Sequence, residues 1–311
     1  MRFNKRWLLA CLLATSAGGA HALAVDLGVA GQFNAFVFND FTTTAPYGAG
    51  TDAQGAVAAG GNLTLNGPWS VGLKDTFSSG GKEYAVVTGG SLNWNTSGTL
   101  YGNAYVGGGS SLGGGVTFLN GGQVLNGSSP VNFAQAQTYL TNLSTSVAGW
   151  ANTGSVAYNG SGIQLTGSGG ALEVFNIDGS KLGPADHFVL SGVGSSAQIV
   201  INVLGSGSYT LDNMDSSLFD SSRTLFNFVD AVGLYMTGTS PHFSILAPDA
   251  TITGQWGHVE GTVVAKNWNA QTQLNMPSSS GGSSSGGQIP APAPLLLIGA
   301  ALSAMALVRR R

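Results

Sequence analysis

The stretch Ala56-Val57-Ala58-Ala59-Gly60-Gly61-Asn62-Leu63-Thr64-Leu65 is echoed by Ala85-Val86-Val87-Thr88-Gly89-Gly90-Ser91-Leu92-Asn93-Trp94. A third copy runs Ala104-Tyr105-Val106-Gly107-Gly108-Gly109-Ser110-Ser111-Leu112, and Gly121-Gly122-Gln123-Val124-Leu125 is a weaker fourth. Each unit is a short apolar strand, a Gly pair, and a second strand with alternating apolar residues. Glycine suits a tight corner where φ turns positive. Stacked corner-and-strand units form a β-solenoid, in which each coil buries its apolar face against its neighbours. The copies are unevenly spaced, so insertions must sit between coils. The pattern alone leaves a β-sandwich with Gly-rich hairpins as the alternative.

Composition agrees with a strand-rich body. Of 311 residues 43% are apolar and only 8% charged, and 49 are glycine, roughly twice the usual share. Such a surface is covered by Ser, Thr, Asn and Gly, which suits short strands and turns better than charged helices. Arg2, Lys5, Arg6, Arg309, Arg310 and Arg311 hold six of the 11 basic residues. The body between them keeps 5 basic against 14 acidic residues, a charge of −9. No basic footprint for nucleic acid exists in it.

One segment breaks the strand pattern. Ser129-Pro130 reads as an N-cap followed by Pro at the first helical position. Phe133, Leu140, Leu143, Val147 and Trp150 then recur at helical spacing, predicting one amphipathic helix of roughly four to five turns packed on the sheet. Strands resume at Gly162-Ile163-Gln164-Leu165, at 197–203, at Ala250-Thr251-Ile252-Thr253, and as one run over 258–265.

Both ends read as targeting segments. Residues 1–22 are a signal peptide, with a basic start and an apolar stretch from Leu8 to about Ala17. Ala20-His21-Ala22 supplies the small-x-small site for signal peptidase, with Ala22-Leu23-Ala24 as the second choice. The sole cysteine, Cys11, stands in Leu8-Leu9-Ala10-Cys11, a lipobox-like order. Only about four apolar residues separate it from Arg6, too few for an export signal. The mature body, 23–276, therefore has no thiol and no disulfide.

Residues 277–288 are a Ser/Gly linker, and 289–311 form a Pro-Ala segment, an apolar run and a basic end. The apolar run with its Ala-Pro lead spans roughly 27 Å as a helix, near the lower limit for a bilayer. Each of Arg309, Arg310 and Arg311 costs up to about 3 kcal/mol at the bilayer centre, which keeps them cytoplasmic and the body outside. This tail resembles the PEP-CTERM sorting signal of Gram-negative bacteria. Pro290-Ala291-Pro292 takes the place of Pro-Glu-Pro, with Ala291 where that family usually has Glu. The resemblance implies an exosortase-type processing enzyme, an inner-membrane-anchored precursor and a final place at the cell surface or outside it.

The body carries a resemblance of its own. Phe33-Asn34-Ala35-Phe36-Val37-Phe38-Asn39-Asp40-Phe41 precedes Gly55-Ala56-Val57-Ala58-Ala59-Gly60-Gly61-Asn62. Later come Leu225-Phe226-Asn227-Phe228-Val229-Asp230-Ala231, Ile245-Leu246-Ala247-Pro248-Asp249-Ala250 and Gly257-His258-Val259-Glu260-Gly261-Thr262-Val263. Together these resemble the choice-of-anchor A family of ice-binding-like adhesive domains. The resemblance implies an all-β, right-handed β-solenoid with a long helix alongside, and an adhesive surface role. It transfers no catalytic residue.

The residues themselves offer little chemistry. Gly282-Ser283-Ser284-Ser285-Gly286 has the nucleophile-elbow order but lies in the linker, without a flanking strand and helix. His187, His242 and His258 show no paired-His metal spacing and read as satisfied turn or surface histidines. Asp212, Asp215 and Asp220, beside Arg223, are the densest acidic group. They read as turn residues. Their oxygens would suit Ca²⁺, yet they lack the spacing of an EF-hand loop, so no metal or other cofactor is assigned. Ice binding needs a regular Thr array on one face, and Thr42-Thr43-Thr44 and Thr251-Ile252-Thr253 stand isolated in sequence.

The function expected is that of a non-catalytic surface adhesin associated with extracellular polysaccharide or another surface ligand. The alternative is a secreted carbohydrate-active β-helix enzyme using Asp212, Asp215 or Asp220. A structural component of the matrix with no discrete ligand is the third reading.

Overall fold

In Ala35-Phe36-Val37 the outer two side chains and the middle one point to opposite faces, yet all three are buried. Period-2 alternation normally buries one face only. Two separate cores explain the exception: Ala35 and Val37 fill the interior of a coil, while Phe36 lies under a helix packed outside it. The computed structural model describes residues 25–44 and 51–277. The signal peptide with Ala20, Ala22 and Leu23, most of the linker, Pro290-Ala291-Pro292, the apolar tail segment and Arg309 to Arg311 lie outside them. Among the described residues no helix is long and apolar enough to cross a membrane.

The body is a β-solenoid with three faces. On the first face, among the described residues, ten strands stack in parallel. From one end, Val124–Leu125, Asn103–Val106, Lys82–Thr88, Val57–Ala59 and Ala35–Val37 follow in turn. Val263–Ala270, Ser244–Gln255, Thr224–Phe228, Gln198–Leu204 and Leu172–Asp178 complete the column. The chain thus starts in the middle, winds to one end, crosses over, and winds back from the other end to meet its own first strand. Ala35 pairs with Val57 on one side and Val263 on the other.

The crossing element is the helix Phe133–Ala148, which lies on the first face. Its N-cap is Asn132, whose side chain accepts from the Gln135 amide at 3.1 Å, in place of the expected Ser129. Ser129 instead folds onto Val131 in a local turn, and Pro130 precedes the helix. Leu140 and Val147 are fully buried; Phe133, Leu143 and Trp150 pack at the margins.

The Gly pairs sit at corners, but not for the expected reason. Of the four pairs only Gly121 has positive φ. Corners stack directly on corners: a Cβ on Gly89 would lie 2.3 Å from the Gly60 carbonyl oxygen, and one on Gly107 2.3 Å from that of Gly89. Close approach, not φ, demands glycine there. The uneven repeat comes from an inserted antiparallel hairpin, Phe77–Ser79 against the start of Lys82–Thr88. The expected single strand over 258–265 is two, His258–Glu260 and the start of Val263–Ala270, parted by Gly261 at φ 131°.

Candidate functional site

With the helix over the first face, no element among the described residues covers the second. Along most of its strands the inward residues are buried: Leu63 and Leu65, Leu92 and Trp94, Trp268 and Ala270, Leu234 and Met236. Phe41 stacks flat on Trp268 beneath the surface, centroids 5.6 Å apart and planes within 3°. The outward residues between them form a central row. In the N-terminal coils it runs Ser111, Asn93, Thr64, Thr42. In the C-terminal coils it continues Asn269, Thr253, Tyr235, Thr210. Thr42 and Thr253, isolated in sequence, are therefore two steps apart in one row. Asn269 and Tyr235 interrupt the threonines.

A second row follows the corner between the first and second faces. Asn267 donates to Thr251 Oγ1 at 3.0 Å, the Asn62 amide to Asp40 Oδ1 at 2.7 Å and the Ser91 amide to Asn62 Oδ1 at 2.9 Å. Asn95 donates to Asn66 at 2.8 Å along the opposite edge. Rows lie about 6.6 Å apart along a strand and neighbours in a row about 4.8 Å apart. The result is a lattice of hydroxyls and amides, with the Asp40 carboxylate at its edge, held on a parallel sheet.

The third face is built from Gly115–Phe118, Ser97–Leu100, Trp69–Val71, Thr51–Ala53, Gln273–Asn275 and His258–Glu260. An open groove along it is lined by Thr51, Ser70, Thr99, Thr117 and a single carboxylate, Asp52. Burial raises the Asp52 pKa above its ordinary value, against the charge of Lys74. A glycosidase-type mechanism needs two carboxylates across such a groove.

The acidic trio does not assemble. Asp212 ends a strand of the open second face, beside Asn213, and aligns with Thr237 and Gln255. Asp215 forms a backbone bridge with His187, the first residue of the strand His187–Ser191, and caps Ser217. Asp220 pairs with Arg223 at 3.0 Å and accepts from Ser222, which organises a turn. Hydrogen bonds from Ser217 lower the Asp215 pKa; those from Ser222 and Arg223 lower that of Asp220 against its burial. Among the described residues the three do not gather their oxygens into one ligand-sized group.

The histidines divide. His187 pairs with the adjacent Asp186 at the surface. His242 and His258, read as separate from their sequence spacing, are brought side by side, ring centroids 6.1 Å apart and planes tilted by 53°, with Glu260 against both. Sequence reading missed this because Glu260 is two residues from His258 but His242 belongs to the neighbouring coil.

Comparisons with known proteins complete the picture. No curated protein matches the chain. Two solved structures of an ice-binding protein from an Arctic yeast are similar at 11% and 12% identity, each with a TM-score of 0.36. They cover 84% and 86% of this chain, and 98% and 99% of their own. The sequence model described as "Putative Ice-binding-like adhesive domain" matches residues 26–276, four-fifths of the chain, and the chain belongs to that family.

Proposed function

We propose that this protein is an exported surface adhesin that holds a repetitive, hydroxylated ligand, an extracellular polysaccharide, on the open second face of its solenoid. Membership of an adhesive-domain family supports the adhesin class. The observation that carries the finer reading is the central row from Ser111 to Thr210, eight aligned outward side chains with no charge among them. A polysaccharide repeats hydroxyls along its length, and a row of fixed hydroxyl and amide groups can meet many of them at once. Each contact is weak alone, and their sum gives binding without deep enclosure. Tyr235, 42% exposed in the row, offers a ring on which a sugar can stack.

In this reading the signal peptide exports the chain, and the C-terminal segment with Arg309 to Arg311 anchors the precursor in the inner membrane. An exosortase-type enzyme acts near Pro290-Ala291-Pro292. Intact-mass measurement of fractionated cells tests both ends at once. Loss of residues 1–22 and of the tail is expected, and full-length protein in the membrane fraction alone would refute the processing.

Binding is tested with the full chain on purified matrix polysaccharide. Thr64→Tyr and Asn269→Trp, which break the flat row, should reduce retention at least about tenfold, while Thr99→Tyr on the third face should not. Polysaccharide cleavage abolished by Asp212→Asn, Asp215→Asn or Asp220→Asn would instead establish the enzyme. Inhibition of ice recrystallisation without polysaccharide retention would reassign the same face to ice.

A further inference from the structure

We infer that His242, His258 and Glu260 form a Zn²⁺ site on the third face. His258 and Glu260 are two apart on one short strand, so both side chains leave the sheet on the same side. The neighbouring coil runs alongside it as an irregular segment: the His258 amide donates to Thr239 O, and the Glu260 amide to Pro241 O at 2.8 Å. That register delivers His242 next to Glu260. One ligand-capable atom from each of the three lies within 4.8 Å of the others.

The spacing leaves room for an ion between the three side chains. His258 Nε2 is 3.3 Å from Glu260 Oε1, and His242 Nδ1 is 3.5 Å from Glu260 Oε2. Charge-assisted N–H···O contacts usually close to about 2.7–2.9 Å. Ligands held at about 2.0–2.1 Å around a tetrahedral Zn²⁺ lie about 3.3 Å from one another. The two N···O separations match that spacing, each to a different oxygen of the Glu260 carboxylate. The carboxylate directs one oxygen to each ring, and the side chains are only partly exposed, Glu260 at 14%.

The surroundings supply what a zinc histidine needs. His258 Nδ1 is 3.2 Å from Ser240 Oγ, a partner able to accept its proton when Nε2 binds the ion. His242 is anchored by its own amide, which donates to Ser216 Oγ at 3.2 Å. Two imidazoles and one carboxylate match the ligand taste of Zn²⁺ and not that of Ca²⁺ or Mg²⁺. A fourth position remains for water. The ion would tie 239–242, where Pro241 interrupts regular pairing, to the strand beside it.

The test uses the full chain, stripped with chelator and dialysed against Zn²⁺, Ca²⁺ or Co²⁺. One Zn²⁺ per chain should survive gel filtration, and bound Co²⁺ should show the visible absorption of a four-coordinate ion. His242→Ala and the near-isosteric Glu260→Gln should each lower Zn²⁺ affinity at least about tenfold, with unchanged far-ultraviolet circular dichroism. His187→Ala should bind as the parent does. Absence of Zn²⁺ binding, preference for Ca²⁺, or parental affinity in both His242→Ala and Glu260→Gln would overturn the site.

Discussion

Gly89 shows at a single residue how the coils are spaced. A Cβ there would sit 2.3 Å from the Gly60 carbonyl oxygen, backbone that cannot move aside without shifting the coil. Gly89→Ala should therefore destabilise the fold by about 1–3 kcal/mol, the usual cost of overpacking, measured as a lowered denaturation midpoint. Glu173 is a different kind of constraint. It is fully buried, and burial raises its pKa, but hydrogen bonds from Thr153, Ser168 and the Gly170 amide outweigh that and lower it overall. Its contribution is complete above the ordinary Glu value of 4.5 and is lost as pH falls through the lowered value. Glu173→Gln should be less stable at neutral pH, and the gap to the parent should narrow below pH 4.5. An equal gap at pH 3 and pH 7 would refute that account.

At the scale of the helix, the decisive fit is one of two rises. Three helical residues rise about 4.5 Å, close to the spacing of about 4.8 Å between stacked strands. The carbonyls of Ser144, Val147 and Trp150 accordingly accept from Asn227, Asn202 and Asn176 on three successive coils. The asparagines also join one another, Asn227 to Asn202 at 2.9 Å and Asn202 to Asn176 at 2.8 Å. Both amide hydrogens of Asn202 are thus used, in a place with no access for water. Asn202→Leu leaves Val147 O and the Asn176 oxygen without those donors and should cost about 2–4 kcal/mol. Hydrogen exchange should show the C-terminal turns of the helix losing protection first.

At the scale of the molecule, the two windings meet at a seam. Asn34 spans it: its amide donates to Gly261 O at 2.8 Å and Asn275 O at 2.9 Å, while its oxygen accepts from the Gly55 amide at 2.9 Å. Thr262 adds a bond to Phe33 O at 3.0 Å. The bonds to Gly261, Asn275 and Thr262 join residues more than 220 positions apart, so loop closure must precede them and folding should be slow. Asn34→Ala should lower stability by about 2–4 kcal/mol and slow refolding. An unchanged refolding rate would place seam closure after the rate-limiting step. The polar rows of the second face depend on the same seam, because Thr42 and Asn269 are neighbours across it.

The sequence by itself determined the unit of the fold. Alternating apolar residues around Gly pairs specified strands and corners, and helical spacing from Phe133 to Trp150 specified the element that crosses them. These are local periodicities, set by where successive side chains point. Corner stacking was legible as glycine but not as close approach, because the atom that excludes a Cβ belongs to another coil. The pairing of Ala35–Val37 with 263–265, the row from Ser111 to Thr210, and the meeting of His242 with Glu260 were decided only by the tertiary structure. Each joins residues whose nearness depends on how many chain positions every intervening coil and insertion consumes. That count is fixed by packing between coils, which no local pattern records.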